Sequence, residues 1–185
     1  VRAWARQAVS QERSLDAAPA GNTLAVLYFR NVSGSPGNDP LQKWDGEAET
    51  TSDVEGEPPA FALIEVHQNR LWGIKDKVFP SRLRFTDLLN YESWPALNFI
   101  DVSPDDGDVP TALRSNGTYL MIHKSKRTAV LVGDQTENYN ITWLEAESGA
   151  QGQWAVAQTD RYLSYVAQDG IRFSDLTTSV NAIER

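Results

Sequence analysis

The chain has 185 residues, of which 41% are hydrophobic and 23% charged, and its formal net charge is −8. This balance is typical of a globular protein with its own core, and no apolar run approaches the roughly 20 residues that a membrane helix needs, so we expect no membrane insertion. The absence of cysteine excludes disulfides, thiolate metal sites and cysteine nucleophiles.

Residues 1–58 do not follow the pattern of the rest of the chain. Val1–Arg6 alternates between apolar and polar residues and predicts an edge strand, and the apolar run Leu24–Phe29 predicts a buried strand. From Asn31 to Pro59 glycine, serine, proline and acidic residues dominate, which is typical of a loop or linker. We therefore divide the chain into an N-terminal segment, 1–58, with an acidic Gly/Pro-rich linker, and a main region, 59–185.

The main region contains a repeat in which three apolar or alternating runs follow one another. Leu71, Leu120 and Leu163 occupy matching positions 49 and 43 residues apart, a period typical of β-propeller blades. Turn dipeptides separate the runs, and Asn116-Gly117 and Asp169-Gly170 are strong hairpin signals because both residue types tolerate positive φ. The predicted first, second and third strands of the units are 60–66, 70–74 and 82–87; 111–114, 118–123 and 128–134; and 154–157, 161–166 and 170–175.

A fourth strand fits the first two units, at Leu97–Val102 and Tyr139–Leu144, and helix is scarce, with at most one turn at Thr86–Tyr91. The prediction is an all-β, β-propeller-like array of four-stranded antiparallel blades. Because a closed propeller needs about four or more blades and this chain holds about three, the array is incomplete. The alternative is a β-sandwich whose strands are evenly spaced.

Acidic residues concentrate in two segments. Asp39 to Glu57 holds seven acids against one lysine, and the loop after the first unit holds four aspartates without a base. Such a surface disfavours tight nucleic-acid binding, which needs clustered cations. The second segment is the only candidate metal site, because carboxylates around a glycine turn suit a hard ion such as calcium. Its ligands would be Asp101, Asp105, Asp106 and Asp108. A plain exposed acidic connection is the favoured interpretation.

Other chemistry-bearing residues are few. No phosphate loop, nucleophile elbow or zinc-binding His-Glu-x-x-His is present, so we predict no enzyme activity and no cofactor. The two histidines, His67 and His123, lie at predicted strand ends and are expected to be structural. Lys124, Lys126 and Arg127 form a basic hairpin tip, expected to be solvated, with contact to DNA or to an acidic neighbour as the alternative.

From His67 onward, the order of motifs resembles a specific family. Arg70-Leu71-Trp72, Ser81-Arg82-Leu83 and Glu92-Ser93-Trp94-Pro95 follow one another as in the propeller proteins of phage tails, the nozzle and head-completion proteins of short-tailed phages. The resemblance covers residues 60–178. It implies a structural virion protein of a tail or head-tail connector, with other tail proteins and copies of itself in a ring as partners. It also implies proximity to DNA, and a location in the phage particle and, during assembly, in the host cytoplasm.

The residues of these motifs have packing roles in this interpretation. Leu71 and Trp72 are expected to fill the blade core or to contact the next blade, and Pro80 to stiffen the turn before the third strand. Asp87 is expected to cap the following turn, and Trp94 to anchor neighbouring blades.

An alternative function is a carbohydrate-binding or glycoside-hydrolysing propeller module. Trp44, Trp143 and Trp154 are its candidate stacking platforms, although each is more often a core residue.

Overall fold

The computed structural model describes residues 40–43, 49–144, 147–158, 162–174 and 179–181. Within these residues the protein is all-β, as predicted, and the one helix is a single 3-10 turn at Gln153–Ala155. None of the described helical residues forms a segment long and apolar enough to cross a membrane. The predicted strands Val1–Arg6 and Leu24–Phe29 lie outside the described residues, as do Trp44 and Asp175.

Twelve of the strands form three four-stranded antiparallel sheets, each built from consecutive strands. Sheet I contains β3 Leu63–His67, β4 Arg70–Ile74, β5 Arg82–Phe85 and β6 Phe99–Asp101. Sheet II contains β7 Pro110–Ser115, β8 Leu120–Lys124, β9 Thr128–Val132 and β10 Asn140–Trp143. Sheet III contains β11 Val156–Gln158, β12 Leu163–Ala167, β13 Gly170–Ser174 and β14 Ser179–Asn181. The predicted three-unit array of four-stranded blades is confirmed, and the described sheets are not the two facing sheets of a sandwich.

The tight turns arise from local residue chemistry. Gln68 and Asn69 both have positive φ, 48° and 56°, which is the conformation of a type I′ hairpin between β3 and β4. Asn116 accepts hydrogen bonds from the backbone N–H groups of Thr118 and Tyr119, and Gly117 has φ 90°. These side-chain and glycine signals are short-range, so the sequence indicates the hairpins correctly.

The structure differs from the prediction at three elements. Thr86–Tyr91 is not helical, and Asp87 forms an isolated bridge with Asn90. Strand β14 was not predicted, because its three residues carry no clear apolar alternation. The segment predicted as linker contains a two-stranded hairpin, β1 Gln42–Lys43 and β2 Ser52–Asp53. These two strands are too short to show a periodicity.

The β1–β2 hairpin packs onto sheet I. Leu41 and Val54 are buried with Leu71 of β4, and Trp94 packs against the same cluster. Lys43 Nζ reaches Glu92 Oε1 at 2.6 Å. The prediction that Trp94 anchors two blades is therefore wrong, because its ring lies beside the hairpin and 5.1 Å from Phe61, within the first unit. The proposed boundary near Pro59 stays a prediction.

The sheets stack through two apolar clusters. Between sheets I and II, the fully buried Trp72 lies 4.6 Å from Phe85 and 5.1 Å from Tyr139, measured between ring centroids. This confirms its predicted contact with the next unit. Between sheets II and III, Met121 and Tyr165 belong to a second cluster. The first strands of sheets I and II, β3 and β7, also meet through an ion pair, Glu65 with Arg114, at 3.4 Å.

Candidate functional site

The acidic loop of residues 101–108 and the basic hairpin tip of residues 124–127 meet at one end of sheet II. Lys124 Nζ donates to both carboxylate oxygens of Asp106, at 2.8 and 2.7 Å, and to the Ser103 carbonyl at 2.9 Å. Arg127 also pairs with Asp106. Burial acts to raise the pKa of Asp106, but hydrogen bonds from Lys124 and Arg127 outweigh it and hold that pKa at about 2. Two cations of the hairpin tip therefore neutralise one carboxylate of the loop, Asp106.

Asp108 closes the same hairpin from the loop. Its carboxylate accepts hydrogen bonds from the backbone N–H of Ser125, at 3.1 Å, and of Lys126, at 3.0 Å, as well as from the Ser125 hydroxyl. Burial acts to raise the pKa of Asp108, and these hydrogen bonds overcome it, so the pKa lies below its usual range. The Asp108 carboxylate thus accepts hydrogen bonds from N–H groups of the turn between β8 and β9, which no neighbouring strand pairs.

The remaining candidate metal ligands lie apart from this pair. Asp101 forms a two-pronged ion pair with Arg82, at 2.8 and 2.9 Å, and Asp105 is exposed. Among the described residues, no three histidine or carboxylate side chains come together in a way that would hold a metal ion. Asp101, Asp105, Asp106 and Asp108 are therefore not assembled into one ligand set, and three of them are engaged by protein donors.

The prediction of a solvated basic tip is wrong for Lys124. Its side chain is fully buried, and Arg127 stacks 3.8 Å above the Trp143 ring, so only Lys126 is exposed. The pairing follows from the strand order, because the loop before the first strand of a unit and the second hairpin of that unit end on the same side of the sheet. Opposite charges in those two positions favour an ion pair within the protein over an ion pair with another molecule.

A groove of about 610 Å³ opens beside this cluster, between the ends of sheets II and III. Its lining residues include both signs of charge: Asp106, Asp108, Ser125, Lys126, Arg127, Glu147, Ser148, Gly149, Gln168 and Asp169. Asp169 pairs with Arg172, and Glu147 is exposed. The groove offers hydrogen-bonding groups to a ligand, and the described residues of its lining contribute carboxylates and cations but no histidine.

Both histidines lie in the interior. His67 Nδ1 is 2.8 Å from Ser115 Oγ, which ties sheet I to sheet II, and His123 Nδ1 is 2.9 Å from Thr128 Oγ1. Burial lowers the pKa of His67 to about 4 and that of His123 to about 3. Both rings are neutral at pH 7 and are positioned for packing, with His123 4.9 Å from the Tyr165 ring.

The two described candidate stacking residues differ in exposure. Trp143 is covered on one ring face by the Arg127 guanidinium, whereas the side chain of Trp154 is 72% exposed beside Arg114. The third candidate, Trp44, lies outside the described residues. Of the two candidates that the structure describes, only Trp154 therefore presents an open aromatic surface.

Compared with known proteins, the chain matches no protein-family model, and no curated protein is significantly similar to it.

Proposed function

We propose that the chain is a non-enzymatic structural module of a phage tail or head-tail connector, acting by shape and by association with copies of itself and with other tail proteins around the DNA channel. The observation that carries this proposal is that the charged and titratable side chains of the candidate site bond to other parts of the protein. Lys124 and Arg127 both pair with Asp106, and the two histidines are buried between sheets. A stacked array whose ionisable groups hold the fold together suits a structural role.

The phage context is supported by the order of the motifs in residues 60–178. In the structure these motifs have packing positions: Trp72 fills the contact between sheets I and II, and Ser81 is buried at the start of β5. Asp87 accepts hydrogen bonds from Ser93 Oγ, at 2.6 Å, and from Asn98 Nδ2, at 3.3 Å, and so braces the loop after β5. Residues with these roles keep a unit rigid enough to be one part of a larger assembly.

The test is whether the chain is a particle component. Particles made from the phage genome that encodes it would be purified on a density gradient and probed with an antibody against the chain, with gold labelling in electron microscopy to locate it. We expect co-purification with intact particles and label at the tail or its junction with the head. Absence from purified particles, with the chain present in the lysate, would contradict the proposal.

The exposed Trp154 favours a second candidate, a carbohydrate-binding module. An exposed indole gives a sugar ring a flat apolar surface, and the charged residues of the groove supply hydrogen-bonding groups at another edge of the molecule. A glycan array probed with the full chain and with Trp154→Ala tests this function. Binding that the substitution abolishes would support it, and an array without signal would contradict it.

A further inference from the structure

Two pairs of apolar residues are exposed at opposite ends of β5. The leucine pair, Leu88 and Leu89, lies in the loop that follows β5, and its members are 57% and 71% exposed. The valine–phenylalanine pair, Val78 and Phe79, lies in the loop that precedes β5, and its members are 74% and 45% exposed. Adjacent exposed apolar side chains, unlike scattered single ones, mark candidate interaction surfaces.

The leucine pair occupies a strained turn. Leu89 has φ 59°, a left-handed conformation that glycine or asparagine adopts with less strain than leucine. The turn is held by hydrogen bonds from the Leu89 N–H to the Asn69 carbonyl, at 2.9 Å, and from the Asn90 N–H to the Asp87 carbonyl, at 3.2 Å. The turn itself does not need a leucine here, so a contact made by the exposed side chain is the better explanation for this residue.

The valine–phenylalanine pair is held in place as well. The Asp76 carboxylate accepts hydrogen bonds from the backbone N–H groups of Val78, at 2.7 Å, and Phe79, at 2.6 Å. The Arg82 guanidinium lies 4.3 Å from the centroid of the Phe79 ring. Lys77, the residue before the pair, is exposed. This end of sheet I therefore presents an apolar surface with a cation beside it.

Sheet II carries opposite charges at its two ends. Asp134 and Glu137, in the loop that follows β9, are exposed, and so is Lys126, in the turn that precedes β9. The Gln68 side-chain amide, in the β3–β4 turn that also bonds the leucine pair, donates to the Gly133 carbonyl at 3.0 Å. The acidic loop and the leucine pair therefore lie at the same end of the molecule.

The valine–phenylalanine pair and Lys126 share the opposite end. The Val102 N–H donates to the Ser81 carbonyl, just before β5, and Lys124 Nζ donates to the Ser103 carbonyl, both at 2.9 Å. The loop between β6 and β7 thus joins the loop before β5 to the turn before β9. Among the described residues of these three connections, the exposed charges outside any ion pair are Lys77, Lys126 and Asp105. The cations exceed the carboxylates at this end.

We propose that copies of the chain stack end to end along the strand direction, with the leucine pair of one copy on the valine–phenylalanine pair of the next. The same displacement places the acidic loop after β9 over Lys126, so apolar groups meet apolar groups and carboxylates meet an ammonium group. Nucleic acid and anionic lipid suit the leucine end less well, because the exposed charges beside it are carboxylates.

This inference deepens the proposed function and rests on the self-association in it. The contact uses two different surfaces of each copy, so both ends of an associated pair stay open to further copies. Association should therefore continue beyond two chains, whereas a symmetric contact between two leucine pairs would stop at a dimer.

The experiment uses the full chain and two substitutions that each block one end, Leu89→Asp and Val78→Asp. Aspartate tolerates positive φ, so Leu89→Asp keeps the turn. Ile171→Asp is the control, because Ile171 is 47% exposed on β13, away from both ends. Sedimentation velocity over a concentration series gives the size, and circular dichroism reports folding. We expect the unsubstituted chain and Ile171→Asp to grow beyond two chains with concentration, and the two blocked variants to remain single chains.

Mixing the two blocked variants is the decisive step. Val78→Asp keeps an intact leucine pair and Leu89→Asp an intact valine–phenylalanine pair, so an equimolar mixture should form complexes of two chains and no larger species. A misfolded variant would not do this. A single-chain or strictly dimeric unsubstituted protein, loss of association in Ile171→Asp, or a mixture that stays unassociated would each overturn the inference.

Charge reversal tests the register of the contact. Lys126→Glu and Glu137→Lys should each raise the dissociation constant, by up to about fivefold, the effect of one exposed ion pair. The two substitutions in one chain should restore it, because each reversed residue then meets its reversed counterpart in the next copy. A double variant that associates more weakly than either single variant would overturn the proposed register. Absence of the chain from phage particles would contradict the proposed function and leave all these sizes unchanged, so the two failures are distinguishable.

Discussion

At the scale of single residues, the contact between sheets I and II depends on side chains that serve two partners at once. Trp72 packs its ring against Phe85 and Tyr139 while its indole N–H donates to the His67 carbonyl at 3.0 Å. The His67 ring in turn bonds Ser115 of sheet II. Because a buried polar group without a partner costs free energy, the bonds to the Trp72 indole N–H and to His67 Nδ1 lower the cost of placing both rings in the interior.

Gly149 is expected to tolerate no side chain. A Cβ at this position would lie 1.7 Å from the Lys124 carbonyl oxygen and 2.9 Å from that of Arg127, and both are backbone atoms that cannot rotate away. Gly149→Ala should lower the free energy of unfolding by about 3 kcal/mol or more, the upper part of the range for overpacking. Gly152→Ala is the matched control, because nothing lies within 4 Å of its added Cβ. Urea denaturation of both variants measures the difference, and equal midpoints would contradict the close backbone approach.

The two buried histidines should make the protein sensitive to mild acid. Burial lowers the pKa of His67 to about 4 and of His123 to about 3, whereas both have a pKa near 6.5 when unfolded. Between these values the unfolded chain binds more protons than the native one. The free energy of unfolding is therefore not reduced by the histidines above about pH 6.5. It falls as the pH decreases below that value, by up to about 1.4 kcal/mol per pH unit for each histidine.

Urea denaturation at pH 7, 6 and 5 measures this slope. His67→Asn removes one titrating group and should reduce the loss of stability between pH 7 and 5, even if the variant is less stable at pH 7. A slope unchanged by the substitution would show that His67 is not the group that titrates.

At the scale of elements, the β8–β9 hairpin and the loop between β6 and β7 stabilise each other. The loop supplies carboxylates to a hairpin tip that presents donors, and the hairpin supplies the cations that keep those carboxylates ionised. Trp143 at the end of β10 covers the Arg127 guanidinium and so extends the contact to the outermost strand of the sheet. The loop before sheet II, its second hairpin and the end of its last strand are thereby joined at one end of the sheet.

Lys124→Met should separate these connections. The ammonium group is fully buried, and its loss leaves Asp106 with Arg127 alone. Breaking a buried pair costs about 3–5 kcal/mol, and we expect the lower end because Arg127 remains and Asp106 is partly exposed. The pKa of Asp106 should rise, which shifts acid unfolding to higher pH. Thermal and acid denaturation measure both effects.

Lys126→Met is the control for this prediction, since Lys126 is exposed on the same tip and a surface substitution changes stability by less than about 0.5 kcal/mol. In a double-mutant cycle, Asp106→Asn should cost less in the Lys124→Met background than in the unsubstituted chain. Additive costs would indicate that the pair does not interact.

At the scale of the whole molecule, each sheet shares a core with its neighbour. Leu131 of sheet II lies with Trp72 and Leu83 of sheet I in one cluster, and Met121 of the same sheet lies with Tyr165 of sheet III in another. Both faces of sheet II are therefore packed, one on each neighbour. We infer that the described sheets unfold together, because removing one exposes the core of the next.

Leu131→Ala tests this coupling. The side chain is 1% exposed, and its truncation should lower the free energy of unfolding by about 2–5 kcal/mol. Circular dichroism and tryptophan fluorescence should show one coincident transition at a lower temperature. Leu97→Ala, at an exposed position, should leave the transition unchanged. Two separate transitions in Leu131→Ala would contradict a shared core.

Local patterns in the sequence determined the all-β class, the three units and their hairpins. Short apolar runs separated by turn residues are a property of neighbouring residues, so Gln68-Asn69 and Asn116-Gly117 could be placed without knowledge of the rest of the chain. The matching leucines could be aligned for the same reason, and each lies at the start of the second strand of its sheet.

Only the tertiary structure decided which charges meet, where Trp94 packs and which apolar side chains stay exposed. Asp106 and Lys124 are 18 residues apart, and each segment by itself has the composition of a solvated loop. Their pairing depends on the positions of two loops at one end of a sheet, and those positions follow from strand order and sheet stacking. Contacts between distant residues are set by the packing of whole elements, and the local patterns that identify strands and turns contain no record of them.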